Sequence, residues 1–352
     1  MALFLDAHRN RLKKQENIPI IEIFGTVPGN RDWNGYALAT NNKIYGAPSQ
    51  GTTIFCLDTS DDSITLFGTF TASGSLYAGA VLAPNGYVYC VPNSATEVLK
   101  IDPSNNTYTT FGSVAATPNK WVGGILAPDG NIYCAPFGSN QFLKIDTSAD
   151  TVSLFGDTVP VGTWNGGALG PDGSIYAFPR SGTSILRLNY TTGNVTTIGS
   201  YGTDNNKWNG GGIAYNNKIY GTPYSRSKIL KIDPSGPSSS EFGSLGTDLT
   251  KWIRMILGPN GKFYAPPFNK ENILVIDPND DSYEFIGDLG SASQKYVGGC
   301  LAPNGSIYFP GFEQTGVLKI SNIGIIESSM YEMPVDLNDL PSSNYNKHQN
   351  VL

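Results

Sequence analysis

Apolar and polar positions alternate along most of this chain in runs of four to six residues, broken by Gly, Pro, Asn and Asp. Residues 121–156 show the unit. WVGGILA is a short apolar run, PDG is turn chemistry, NIYCAP alternates as a strand, FGSN turns, QFLKID alternates, TSAD turns, and TVSLFG closes the set. The unit predicts four short antiparallel strands. Its opening aromatic recurs at Trp33, Tyr77, Trp121, Trp164, Trp208, Trp252 and Tyr296, each 43 or 44 residues after the last. A lone four-stranded sheet has two faces to bury and no core, so copies must stack face to face, and their right-handed twist wraps the stack into a ring. The pattern therefore predicts an all-β, seven-bladed β-propeller of four-stranded antiparallel blades.

Other landmarks count the same number. The second-strand tyrosines are Tyr45, Tyr89, Tyr133, Tyr176, Tyr220, Tyr264 and Tyr308, and the fourth-strand glycines run from Gly25 to Gly287. Those glycines begin before the first Trp, so IIEIFG at 20–25 is a fourth strand with no blade ahead of it. The last blade, 296–321, lacks a fourth strand of its own. The N-terminal strand is expected to complete blade seven and close the ring, removing two open sheet edges. Two residues past each aromatic stands Gly35, Gly79, Gly123, Gly166, Gly210, Arg254 or Gly298. Glycine weakens a strand by about 0.5–1 kcal/mol, so its recurrence predicts close backbone approach of the inner strands near the axis.

Stretches such as NIYCAPFGSNQFLKIDTSADTVSLFG and SIYAFPRSGTSILRLNYTTGNVTTIG resemble the repeats of NHL, YVTN and streptogramin-lyase-type seven-bladed propellers. The resemblance spans about residues 18–321 and implies architecture. Those families include binders, scaffolds and a few enzymes, so the fold alone does not set a function. Streptogramin-lyase-like enzymes rely on propeller His and Glu residues around a metal. The two histidines of this chain, His8 and His348, both lie outside the ring.

Composition narrows the picture. The formal net charge of −6 and pI near 5.0 give no overall pull toward nucleic acid or an anionic membrane. No apolar run is long enough for a membrane helix, and MALFLDAHRNRLKK lacks the order of a signal peptide. A virion or cytoplasmic setting is expected. The four cysteines, Cys56, Cys90, Cys134 and Cys300, show no CxxC or His-Cys spacing and read as free thiols. Asp-Pro turns such as DPNDD at 277–281 read as type I turns, so no metal or cofactor is expected.

The two rims of such a ring differ. One carries the seven aromatics, with Phe137, Arg180, Tyr224, Arg226, Phe268 and Phe312 just after the second strands and Lys120, Lys207, Lys251 and Lys295 just before four of the aromatics. The other collects the PNG, PDG and Asp turns. Trp33, Trp121, Trp164, Trp208 and Trp252 have two readings: rings packed between blades, or a partly exposed funnel that stacks on a sugar or grips a protein. Departures from the repeat are sharper candidates. Arg254 replaces an inner-strand Gly, and Tyr36 breaks the pattern in blade one, so these two are expected to shape the mouth of the axis with Arg180 and Arg226 on adjacent loops.

No catalytic residue set is recognisable, with no GxSxG, HExxH or P-loop, so the sequence reads as non-enzymatic; a lyase or hydrolase is the less favoured reading. The expected role is a structural or adaptor protein held in a larger assembly by protein contacts of its arms, residues 1–17 and 322–352, flanking the propeller at 18–321. A virion or phage tail component is one such setting. The alternative is a lectin-like module that reads glycan or protein with the aromatic rim.

Overall fold

Short alternating strands joined by Asx and glycine turns build seven four-stranded antiparallel sheets. The computed structural model describes residues 18–324 apart from 72, 73 and 161, and the arm segments 1–17 and 325–352 lie outside the described residues. Blade one runs through Trp33–Leu38, Lys43–Pro48, Ile54–Asp58 and Ile64–Phe67 in sequence order. Each outer strand is largely exposed while the inner three are buried, as at Thr151–Phe155 against Phe142–Asp146. Turn carboxylates do what the sequence assigns them: Asp102 Oδ1 accepts from Ser104 N at 2.9 Å and from its hydroxyl at 2.6 Å.

The ring closes as expected. Ile20–Phe24 pairs antiparallel with Val317–Ser321, in register from Ile20 with Ser321 to Phe24 with Val317, and completes the blade of Cys300–Leu301 and Ile307–Pro310. Apolar clusters fill the joints between neighbouring blades. One holds Trp33, Tyr36 and Phe55 of blade one against Cys300, Tyr308 and Val317 of blade seven.

Backbone hydrogen bonds also stitch blade to blade along one rim. Lys207 N donates to Arg180 O at 2.9 Å, Tyr224 N to Lys207 O at 3.0 Å, Lys251 N to Tyr224 O at 2.6 Å and Phe268 N to Lys251 O at 2.8 Å. The series crosses the closure: Phe312 N donates to Lys295 O at 2.8 Å and Arg31 N to Phe312 O at 2.7 Å. On the opposite rim five second-strand tyrosines, Tyr45, Tyr89, Tyr133, Tyr220 and Tyr308, hydrogen-bond to the next blade. Tyr89 Oη donates to Asp150 Oδ1 at 3.0 Å while Lys100 Nζ lies 2.6 Å from Asp150 Oδ2. Tyr308 and Lys319 of blade seven meet Asp62 of blade one in the same way, at 2.8 and 2.6 Å.

The inner-strand glycines have a second cause beyond close approach. A β-bulge sits there in blades one to five: Trp33 pairs with Pro48 and Tyr36 with Gly46, so two residues oppose one. The bulge puts Gly35 at φ 104°, and a Cβ on it would lie 2.4 Å from the Gly79 Cα of the next blade. Left-handed backbone and backbone-on-backbone contact both demand glycine there. Blades six and seven depart from this form. Their inner ladders shrink to Ile256–Leu257 and Cys300–Leu301, with Trp252 and Tyr296 held by isolated bridges to Pro267 and Gly311.

Candidate functional site

The five tryptophans leave the list of ligand-facing residues. Trp33, Trp164, Trp208 and Trp252 have no exposed surface and Trp121 is 3% exposed. Each indole Nε1 donates to a backbone carbonyl of its own blade, at Thr53, Gln141, Ser184, Lys228 and Asn272, over 2.7–3.0 Å. An indole packed on both faces with its one donor satisfied is a blade wedge, which is the packing alternative of the two. The lysines that precede the aromatics are buried as well. Lys251 Nζ donates to Asp248 O at 2.8 Å, and Lys120 Nζ to Ala95 O and Thr117 O at 2.9 Å. No carboxylate lies within ion-pair distance of Lys120, Lys207, Lys251 or Lys295 among the described residues. Burial depresses all four ammoniums, Lys251 to about 8.

Arg226 does not join the mouth of the axis. Its guanidinium is held by Glu241 at 2.9 Å and Asp204 at 3.0 Å, above the Trp208 ring at 5.5 Å, so it braces a loop against an outer strand. Tyr36 is also displaced from the expected surface. It is 2% exposed and packs edge-on against Phe55 in the joint between blades one and seven, where burial raises its hydroxyl and the Arg254 charge partly offsets this. Its Oη has no hydrogen-bond partner.

Arg254 lies at the axis. It is 2% exposed, stands at φ 50° where six blades have Gly, and donates its backbone N–H to Asn209 O at 2.9 Å. From blade six the side chain passes blade seven, donating from Nη1 to Val297 O at 3.2 Å, and reaches Asn34 Oδ1 of blade one at 2.5 Å. Its Nε is buried without a partner, and desolvation lowers its pKa to about 10. Non-glycine left-handed backbone costs about 1–3 kcal/mol, and an uncompensated buried charge adds several more. Arg254 carries both penalties in one position.

Around it the residues after the second strands form an arc. The sevenfold position reads Ser49, Asn93, Phe137, Arg180, Tyr224, Phe268 and Phe312. The Arg180 guanidinium lies 5.0 Å from the Phe137 ring and 5.8 Å from the Tyr224 ring; Tyr224 meets Phe268 at 5.9 Å, and Phe268 meets Phe312 at 6.2 Å. Ile253 and Val297, next to the axis, pack with Tyr224 and Phe268 in one cluster with Phe312. Arg180 Nε donates to Asn206 Oδ1 at 2.8 Å, which fixes the plane of the guanidinium and leaves Nη1 and Nη2 without a hydrogen-bond partner among the described residues. Burial depresses its pKa. The remaining arginines among the described residues are ion-paired, Arg31 with Glu313 at 2.6 Å, Arg187 with Asp172 at 2.8 Å and Arg226 as above. The two unpaired guanidiniums are thus both at this mouth.

Sequence reasoning missed the residue directly after each opening aromatic. It reads Asn34, Ala78, Val122, Asn165, Asn209, Ile253 and Val297, polar in three blades and apolar in four. Asn165 and Asn209 are 5% and 6% exposed, and each leaves Oδ1 without a hydrogen-bond partner. The mixed column was a readable signal, since the opening aromatic directly before it keeps one chemical type in all seven blades.

The fold and mouth define a β-propeller with an asymmetric polar and aromatic axis face. The chain belongs to a family described as a repeat of unknown function (DUF6923), whose pattern matches residues 38–245. No curated protein matches it in sequence. Among solved structures it is similar to a streptogramin B lyase, with TM-score 0.71 and 15% identity over 86% of this chain and 97% of that one. It is equally similar to virginiamycin B lyase from Staphylococcus aureus, with TM-score 0.72 and 15% identity over 86% of this chain and 99% of that one. The extracellular domain of a hybrid two-component system from B. thetaiotaomicron aligns with TM-score 0.64 and 13% identity over 85% of this chain and 39% of that one. At these identities the likeness is one of fold. It nonetheless corrects the non-enzymatic reading, because whole lyases share this architecture along nearly their full length. Lack of a histidine in the ring removes one residue set, not catalysis as a class.

Proposed function

We propose that this protein is a recognition propeller that takes its ligand at the mouth formed by Arg180, Arg254 and the aromatic arc from Phe137 to Phe312. One observation carries the reading: the two arginines without a carboxylate partner among the described residues stand on the same face, Arg254 in a column of glycines and Arg180 in a column that changes from blade to blade. A scaffold residue recurs from blade to blade, whereas a ligand is asymmetric and needs an asymmetric surface. Strain and buried charge persist where function retains them.

The test replaces the two half-buried rings of the arc with the residues that blades one and two carry, Phe312→Ser and Phe137→Asn. A glycan array and a peptide panel are read with the intact chain, with this double variant, and with Ser104→Lys on the opposite rim. Binding that falls at least ten-fold in the double variant and is unchanged by Ser104→Lys supports the mouth. The reverse pattern refutes it.

A further inference from the structure

We propose that the ligand class is an acidic sugar, its carboxylate forked on Arg180 and its hydroxyls met by Asn165 and Asn209; this rests on the recognition reading above. Four observations lead there. The free edge of Arg180 presents Nη1 and Nη2 together, because Asn206 already occupies Nε at 2.8 Å. Two parallel donors in a plane fit a carboxylate in a bidentate pair. The Phe137 ring lies 5.0 Å from the guanidinium and is only half-buried, which puts apolar surface for the C–H side of a pyranose next to the donors.

Two residues along from Thr163 and Lys207, which bond the Arg180 backbone N–H and C=O, the amides of Asn165 and Asn209 are buried with Oδ1 unsatisfied among the described residues. An amide can be turned end for end, so each supplies a donor and an acceptor to a hydroxyl group. Arg254 adds the orphaned Nε next to Asn209, whose carbonyl takes the Arg254 backbone N–H at 2.9 Å. A molecule with one carboxylate and several hydroxyls satisfies this set. An extended acidic peptide fits less well, because the backbone N–H and C=O groups of the arc are consumed in the blade-to-blade series, as at Lys207 to Arg180 and Lys251 to Tyr224. The rim gives a peptide no sheet edge to extend.

The experiment is binding of the intact chain to an array of matched neutral, uronate, sialylated and sulfated oligosaccharides, beside a panel of acidic peptides. Arg180→Gln, Arg180→Lys, Arg187→Gln and the Phe137→Asn/Phe312→Ser pair are read in parallel, with circular dichroism confirming fold. The expected result is binding to uronate or sialylated sugars over their neutral partners. Signal falls at least ten-fold in Arg180→Gln, less in Arg180→Lys, and stays the same in Arg187→Gln, whose guanidinium is paired on the opposite rim. Preference for sulfated sugars overturns the carboxylate assignment, and Arg180-dependent peptide binding without sugar binding overturns the sugar. Neutral sugars bound equally, with Arg180→Gln silent but the ring pair damaging, overturn the acid and leave the mouth reading standing. Sugar binding indifferent to every variant overturns both, and an array with no bound sugar overturns the inference.

Discussion

Arg254 concentrates the account at the scale of one residue. It occupies a left-handed position that is glycine in the other six blades, and the Cβ of a residue at Gly210 in the neighbouring blade would lie 2.6 Å from its Cγ. If its retention serves binding rather than folding, Arg254→Gly relieves the left-handed strain and the buried charge together. The variant is expected to be more stable by about 1–3 kcal/mol in urea unfolding, and a loss of stability counts against the assignment. A second residue-scale prediction follows from Lys251, whose ammonium burial lowers from 10.5 to about 8. Between those values the unfolded chain holds a proton that the folded protein has released, so stability rises with pH from about 8 to 10.5. The penalty is fully present below 8. Lys251→Met is expected to flatten that rise in denaturation midpoints measured at pH 7.5, 9 and 10.5. Arg254 was legible in the sequence because it interrupts a column of glycines. Arg180 and Arg226 were not separable there, since both follow second strands by one to three residues. Only the fold shows that Glu241 and Asp204 reach one of them and that no carboxylate reaches the other.

At the scale of elements, the decisive piece is the strand Ile20–Phe24. Its pairing with Val317–Ser321 covers the edge of blade seven, and Ile21 packs against a joint shared with blade six. Ile20→Cys with Ser321→Cys places two thiols on directly paired residues, and the native cysteines Cys56, Cys90, Cys134 and Cys300 are buried and do not compete. Oxidation of this pair is expected to stabilise the fold by about 2–4 kcal/mol over the reduced form, read as a shift in the unfolding midpoint. No shift, or failure to cross-link, argues that the latch is not paired as described. Blade number and closure were readable because aromatic, tyrosine and glycine landmarks each repeat independently at one period. The shortened inner ladders of blades six and seven were not. Their sequences, WIRMILGPNGKFY and YVGGCLAPNGSIY, keep the alternation of full strands, so the shortening shows only in the backbone.

At the scale of the whole molecule, the two rims do different work. The turn rim repeats one chemistry at three joints, where a tyrosine and a lysine of one blade clasp an aspartate of the next at Asp150, Asp281 and Asp62. The mouth keeps a repeated backbone framework but changes its side chains from blade to blade, from Ser49 and Asn93 to Arg180 and three phenylalanines. The strict recurrence of the tryptophans already pointed to packing between blades over a ligand funnel, and their burial decides for packing. Hydrogen exchange on the intact chain, with and without a uronate-terminated oligosaccharide, reads ligand capture at the mouth. Slowed exchange is expected in 180–184, 224–228 and 268–272 with the turns at 58–63 and 102–107 unchanged. Protection confined to those turns, with the mouth unaltered, would contradict capture there.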